Sequence, residues 1–115
     1  MLFSTSLKKN DDFRKVYRKG RAASDDLVSV HIFRNGTGGN RLGVSISKKK
    51  GNSVVRHSFK RRIMEIYRLH EEMFNSGLDI IVVARGNMKE LYKNKSYYHM
   101  LEESFLTLAK KLRAL

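Results

Sequence analysis

Leu42-Gly43-Val44-Ser45-Ile46-Ser47-Lys48-Lys49-Lys50-Gly51-Asn52-Ser53 contains the change of period that decides the fold. As far as Ser47 the residues alternate, with Leu42, Val44 and Ile46 on one face and Gly43, Ser45 and Ser47 on the other. That is the two-residue period of a β-strand, expected over about Arg41 to Ser47. Beyond Ser53 the apolar residues Val55, Phe59, Ile63, Ile66, Tyr67 and Met73 fall at helical spacing, so a long helix is expected from Ser53 to Phe74. The strand's second face is small and polar. It is either an ordinary solvent side or a floor with room for something to lie across the sheet.

Further strands and helices flank this unit. Asn10-Asp11-Asp12 offers a cap and an acidic first turn for a helix that runs to about Lys19 and closes at Gly20. Its apolar face is Phe13, Val16 and Tyr17, and Arg14, Lys15, Arg18 and Lys19 are basic. A β-branched strand is expected over Leu27 to Phe33, joined to the second strand by the turn at residues 35–40 as an antiparallel hairpin. Leu78 to Arg85 is apolar on both faces, as a central strand is. Asn87 to Asn94 suggests a short helical segment and loop. Ser96 opens a last helix to Leu112, with Leu101, Phe105, Leu108 and Leu112 inward. The expected order is α-β-β-α-β-α in one domain over residues 1–115, an α+β two-layer sandwich with a mixed sheet.

Charge narrows the partner. The 115 residues carry 24 Lys and Arg against 11 Asp and Glu, a net of +13. Self-repulsion on that scale opposes compactness and points to a polyanionic partner. Residues 1–68 hold 17 basic and 5 acidic side chains, whereas residues 69–115 hold 7 and 6. The binding surface is therefore expected in the first three-fifths of the chain. No cysteine is present, which excludes disulfides, thiolate metal sites and a cysteine nucleophile. The longest apolar run, Ile80 to Ala84, is too short for a bilayer, and Met1 to Lys9 lacks a signal-peptide core. These features suit a cytoplasmic protein with no membrane partner.

The charge is also ordered. Lys48 to Arg62 contains seven basic residues and no acidic one. Arg56 and Lys60 lie one helical turn apart, as do His57 and Arg61, and Arg68 follows two turns after Arg61. This ridge lies opposite the apolar stripe. Like charges at this spacing cost an isolated helix a few tenths of a kcal/mol per pair, roughly. A merely soluble face would intersperse glutamates, but only Glu65 appears before Glu71. Lys48 and Lys49 precede a helix N-terminus, whose free N–H groups and dipole favour phosphate.

These residues carry a family resemblance. The run Leu42 to Arg56, continued by Lys60-Arg61, is similar to the signature of the bacterial ribonuclease P protein family: Gly-x-Ser-x-Ser-Lys-Lys, then Gly-Asn-Ala/Ser-Val, then Arg-Asn-Arg-x-x-Lys-Arg. Asp11-Asp12-Phe13-Arg14-Lys15-Val16-Tyr17 resembles the family's first helix and Asp79 to Arg85 its later strand. His57, Ser58 and Met64 depart from the usual Asn, Arg and Arg. The resemblance implies a left-handed βαβ crossover, where ordinary handedness rules predict a right-handed one. It also implies a separate catalytic RNA subunit that holds the Mg²⁺ and performs the hydrolysis. Lys48, Lys49, Arg56, His57, Lys60, Arg61 and Arg68 would then bind that RNA. Phe13 and Tyr17, with Lys15 beside them and Val28, Val30 and Ser45 on the sheet side, would hold the single-stranded 5′ leader of precursor tRNA. Plain core packing is the other reading of Phe13 and Tyr17.

Three rivals remain in view. A ribosomal protein shares size, charge and an RNA partner, but is expected to carry long basic tails. A DNA-recognition helix normally offers Asn or Gln to base edges, and the ridge offers almost none. An autonomous nuclease needs clustered carboxylates or a histidine acid–base pair. Asp11-Asp12 and Asp25-Asp26 are adjacent pairs that diverge, and His31, His57, His70 and His99 lack ligand spacing. No catalytic or metal-ligating residue is expected in this chain.

Overall fold

The computed structural model describes residues 4–115; Met1 to Phe3, part of the segment discussed for a signal peptide, lie outside the described residues. The elements are β1 (Ser4–Ser6), α1 (Asn10–Lys19), β2 (Arg21–Ser24), β3 (Val28–Arg34), β4 (Asn40–Ser45), α2 (Ser53–His70), β5 (Leu78–Ala84), α3 (Met88–Leu91) and α4 (Tyr97–Lys111). Five strands form one mixed sheet in the order β1-β4-β5-β3-β2, and the fold is α+β as expected.

The expected hairpin does not form. β3 and β4 do not pair with each other: β5 lies between them, antiparallel to β3 and parallel to β4. The physical reason is the composition of β5. A strand apolar on both faces must have both faces covered, and the middle of the sheet is where that happens. Ile80 and Val82 join the main core, while Ile81 enters a smaller cluster on the opposite face. β1 and β2, which have three and four residues, escaped the sequence reading because so short a strand shows no period.

α2 and α4 cover one face of the sheet. Phe59, Ile63, Ile66 and Tyr67 of α2 meet Leu101, Phe105 and Leu108 of α4 over Val28, Val30, Ile32, Leu42, Ile80 and Val82. Asn52 caps α2, its side chain accepting from the Val55 N–H at 3.1 Å. The helix ends at His70, earlier than the pattern suggested, and a 3₁₀ turn follows over Glu71–Met73. Met73 is therefore exposed, and Phe74 takes the buried place expected for it. Buried Asn40 ties this region together: it donates to the Asn75 carbonyl at 2.8 Å and accepts from the Leu78 N–H at 2.8 Å. α1 begins at Asn10 with Lys9 at its cap position and no side-chain capping bond, so Asn10 is the first helical residue and not the cap.

Candidate nucleic-acid interface

Among the described residues, α1 is the helix that lies on the second face of the sheet. Val16 is buried with Leu7 and Ile81, and Phe13 packs partly against them. The Phe13 ring lies directly on the sheet at Gly43, where a Cβ would come within 2.6 Å of its Cζ. Gly43 is thus glycine because an aromatic ring needs the space. One turn on, Tyr17 remains 44% exposed. It meets His31 edge-on at a ring separation of 4.9 Å and lines the same groove as Ser45. Partial burial pushes the Tyr17 phenol up and the His31 imidazole down from their ordinary pKa values, so both favour their neutral forms.

Phe13, Tyr17, Ser45, Arg14 and Lys60 line one open groove of about 530 Å³. Three sequence-expected residues, Phe13, Tyr17 and Ser45, therefore come together. Lys15 is exposed on α1 and is not among the residues lining the groove. Val28 and Val30 correct the expectation outright. Both are fully buried in the main core, under α2 and α4. Strand alternation then turns Ser29, His31 and Phe33 towards α1. The signal was present in β3, whose apolar face (Val28, Val30, Ile32) must seek the larger core and leave the mixed face for the cleft.

Lys60 joins this cleft to the ridge. Besides the cleft, it lines a groove of about 720 Å³ along α2 with Arg56, His57, Arg61, Tyr92 and Lys93. His57, Lys60 and Arg61 are exposed. Arg68 lies further along, half-exposed and ion-paired with Glu65, whose negative charge opposes a phosphate there. Lys48 lines a third groove at the start of α2 with Asn52, Lys89 and Tyr92, and Lys49 is exposed nearby. Arg62 is occupied structurally, donating to the Ser58 hydroxyl at 2.6 Å and lying 5.2 Å from the Tyr97 ring centroid. No spacing within residues 48–68 could have announced Tyr92 and Lys93, which arrive from the segment after β5.

The chain matches the family model for ribonuclease P over residues 2–112. The chain belongs to the ribonuclease P protein family. A ribonuclease P protein component from Alkaliphilus metalliredigens is 42% identical over 113 residues, covering 98% of this chain and 97% of its own length. The Staphylococcus aureus RNase P protein structure superposes with a TM-score of 0.82 at 31% identity, covering 97% of this chain and 96% of that one. The RNase P protein from Thermotoga maritima gives a TM-score of 0.83 at 26% identity, with 92% and 96% covered. A family built around RNA accounts for a sheet with one sealed face and one open, cation-bordered face.

Asp12, Asp25 and Asp79 are committed elsewhere. Asp79 is buried and held by Arg41 through two hydrogen bonds, at 2.8 and 2.6 Å, and by Asn35 at 2.9 Å. Asp12 also meets Arg41, and Asp25 accepts from the Leu27 and Val28 N–H groups. Among the described residues no group of three His, Asp or Glu side chains could hold a metal ion. These donors do not fit Mg²⁺ as a self-contained protein site. No helix among the described residues is long and apolar enough to cross a membrane. A further groove of about 820 Å³, lined by Lys19, Arg21, Arg34 and Arg113, lies where α1 and α4 end. One of its cations has work there already: Arg21 donates to the Leu112 carbonyl at 2.6 Å, satisfying a helix C-terminus.

Proposed function

We propose that this chain is the protein subunit of a cytoplasmic ribonuclease P, assisting removal of the 5′ leader from precursor tRNA. The ridge of Arg56, His57, Lys60 and Arg61, extended by Lys48, Lys49 and Arg68, docks on the catalytic RNA through phosphates. The cleft beside α1 receives the single-stranded leader. Phe13 and Tyr17 offer aromatic faces that stack on unpaired bases without demanding a sequence. Ser45 and Lys60 add a hydroxyl and a cation at its edge. The observation that carries this reading is that one groove joins Phe13, Tyr17 and Ser45 to Lys60, and Lys60 belongs also to the ridge. Substrate and catalytic RNA can then be held side by side by one rigid sheet.

The protein's part is to bind and orient, and the centre of hydrolysis belongs to the RNA. Mg²⁺ held mainly by that RNA supplies the activation of water and the stabilisation of charge on the phosphate. Asp79 is engaged with an arginine and Asp25 with backbone N–H groups, which favours this division. The test is to isolate the protein from cell extract and sequence the RNA that accompanies it. A single structured RNA that cleaves precursor tRNA at the 5′ side is expected; ribosomal RNA in its place would overturn the reading in favour of a ribosomal protein.

A further inference from the structure

A surface that only neutralised phosphates would need cations and little else. The outer side of α2 offers more. Its groove with Tyr92 and Lys93 is lined also by Val54, and a neighbouring groove of about 600 Å³ joins Met64 and Tyr98 to Arg61, Arg62 and Arg68. The two grooves share Arg61 and Arg62 and so run on from one another along the helix. Val54 and Met64 are 62% and 42% exposed, unusual positions for large apolar groups beside a cationic ridge.

Both tyrosines are half-buried. Each packs partly against the main core while lining its groove, and the Lys93 ammonium sits 5.6 Å from the Tyr92 ring centroid. A second observation is independent of shape. Among the described residues, two buried side-chain polar atoms lack any hydrogen-bond partner: Arg56 Nε and the Tyr98 hydroxyl. Both residues line these grooves. A buried polar group left unpaired is costly, and such groups in a native fold call for an explanation. Here a partner that reorders the groove's side chains would supply the missing bonds.

We propose that Tyr92 and Tyr98 form a stacking track beside the arginine ridge that takes unpaired nucleotides of the catalytic RNA. Aromatic faces, exposed apolar groups and guanidinium planes together match the faces of nucleobases, while the cations take the phosphates between them. A continuous A-form helix hides its base faces, so the element bound here contains a loop, bulge or junction. The substrate leader has its own place on the other face of the sheet. This inference rests on the proposed docking of the ridge on the catalytic RNA.

The chain contains no tryptophan, so Tyr92→Trp and Tyr98→Trp each introduce a single reporter that still presents an aromatic face. Titration with the ribonuclease P RNA of the same genome should quench and shift the emission of both; a fully paired RNA duplex and a leader-bearing precursor tRNA should not. In parallel, Tyr92→Leu and Tyr98→Leu, with thermal midpoints checked, keep apolar packing and lose the ring. Each should weaken binding of the catalytic RNA about 5- to 150-fold. The log–log salt slope should stay unchanged, because no phosphate contact is lost. Unquenched emission at saturating RNA, or Leu variants within about twofold of wild type, would overturn the track. If Arg56→Ala meanwhile lowers affinity and slope, the ridge stands without the track; if that variant too is silent, the ridge reading fails first.

Discussion

The two faces of the sheet are built from the same strands and differ in what covers them. One is sealed by α2 and α4, with Val28, Val30, Ile32, Ile80 and Val82 all but inaccessible beneath Phe59 and Phe105. The other carries a ten-residue helix and leaves Tyr17 and Ser45 in an open groove. Alternation along each strand is what makes this division possible: neighbouring residues serve opposite faces, so folding and binding can be assigned to interleaved positions. In β3, Val28 and Val30 are sealed in the main core, whereas His31, the next residue along, meets the Tyr17 ring on the opposite face. A substitution one residue along the chain therefore moves from one kind of consequence to the other.

The largest effect is expected on the sealed face. Phe59→Ala should cost about 3 to 5 kcal/mol of stability, read as a lowered denaturation midpoint, and should impair precursor and mature tRNA binding alike. A leader-specific defect from this variant would break the distinction between faces. On the open face, Tyr17→Ala should leave the midpoint close to wild type. It should weaken binding of leader-bearing precursor tRNA to the holoenzyme by about 1 to 3 kcal/mol per stacked base, with mature tRNA unaffected. Lost stability without leader dependence would make Tyr17 a core residue. Gly43→Ala should do a little of both: lifting the Phe13 ring costs about 1 kcal/mol as an overpacked contact, and leader affinity should fall with it in the same titrations.

The smallest effect is one of pH. Burial beside Tyr17 and Ser29 lowers the His31 pKa below its ordinary 6.5. Between the lowered folded value and about 6.5 the unfolded chain binds the proton more readily than the folded one. The stability due to neutral His31 is thus complete above about pH 6.5 and is lost as pH falls through that value towards the folded pKa. Thermal midpoints measured from about pH 7.5 down to 5.5 should decline, and His31→Asn should flatten that part of the curve. An unchanged profile would mean that α1 does not bury the imidazole in solution.

The sequence by itself determined the periodic elements, the ridge and the class of partner. Val55, Phe59, Ile63 and Tyr67 repeat at a helical interval, and Gly43, Ser45 and Leu42, Val44 at a strand interval, because those patterns are set by residues a few positions apart. Lys60 and Arg61 needed only their own helix to be recognised. Tertiary structure decided the rest. That β5 enters between β3 and β4, that Val28 and Val30 turn to the sealed face, and that Tyr92 and Tyr98 arrive beside Arg61 all depend on partners distant in the chain. An alternating strand has two faces but does not say which is inward. That choice goes to whichever side buries more apolar surface, and only the assembled helices define that side.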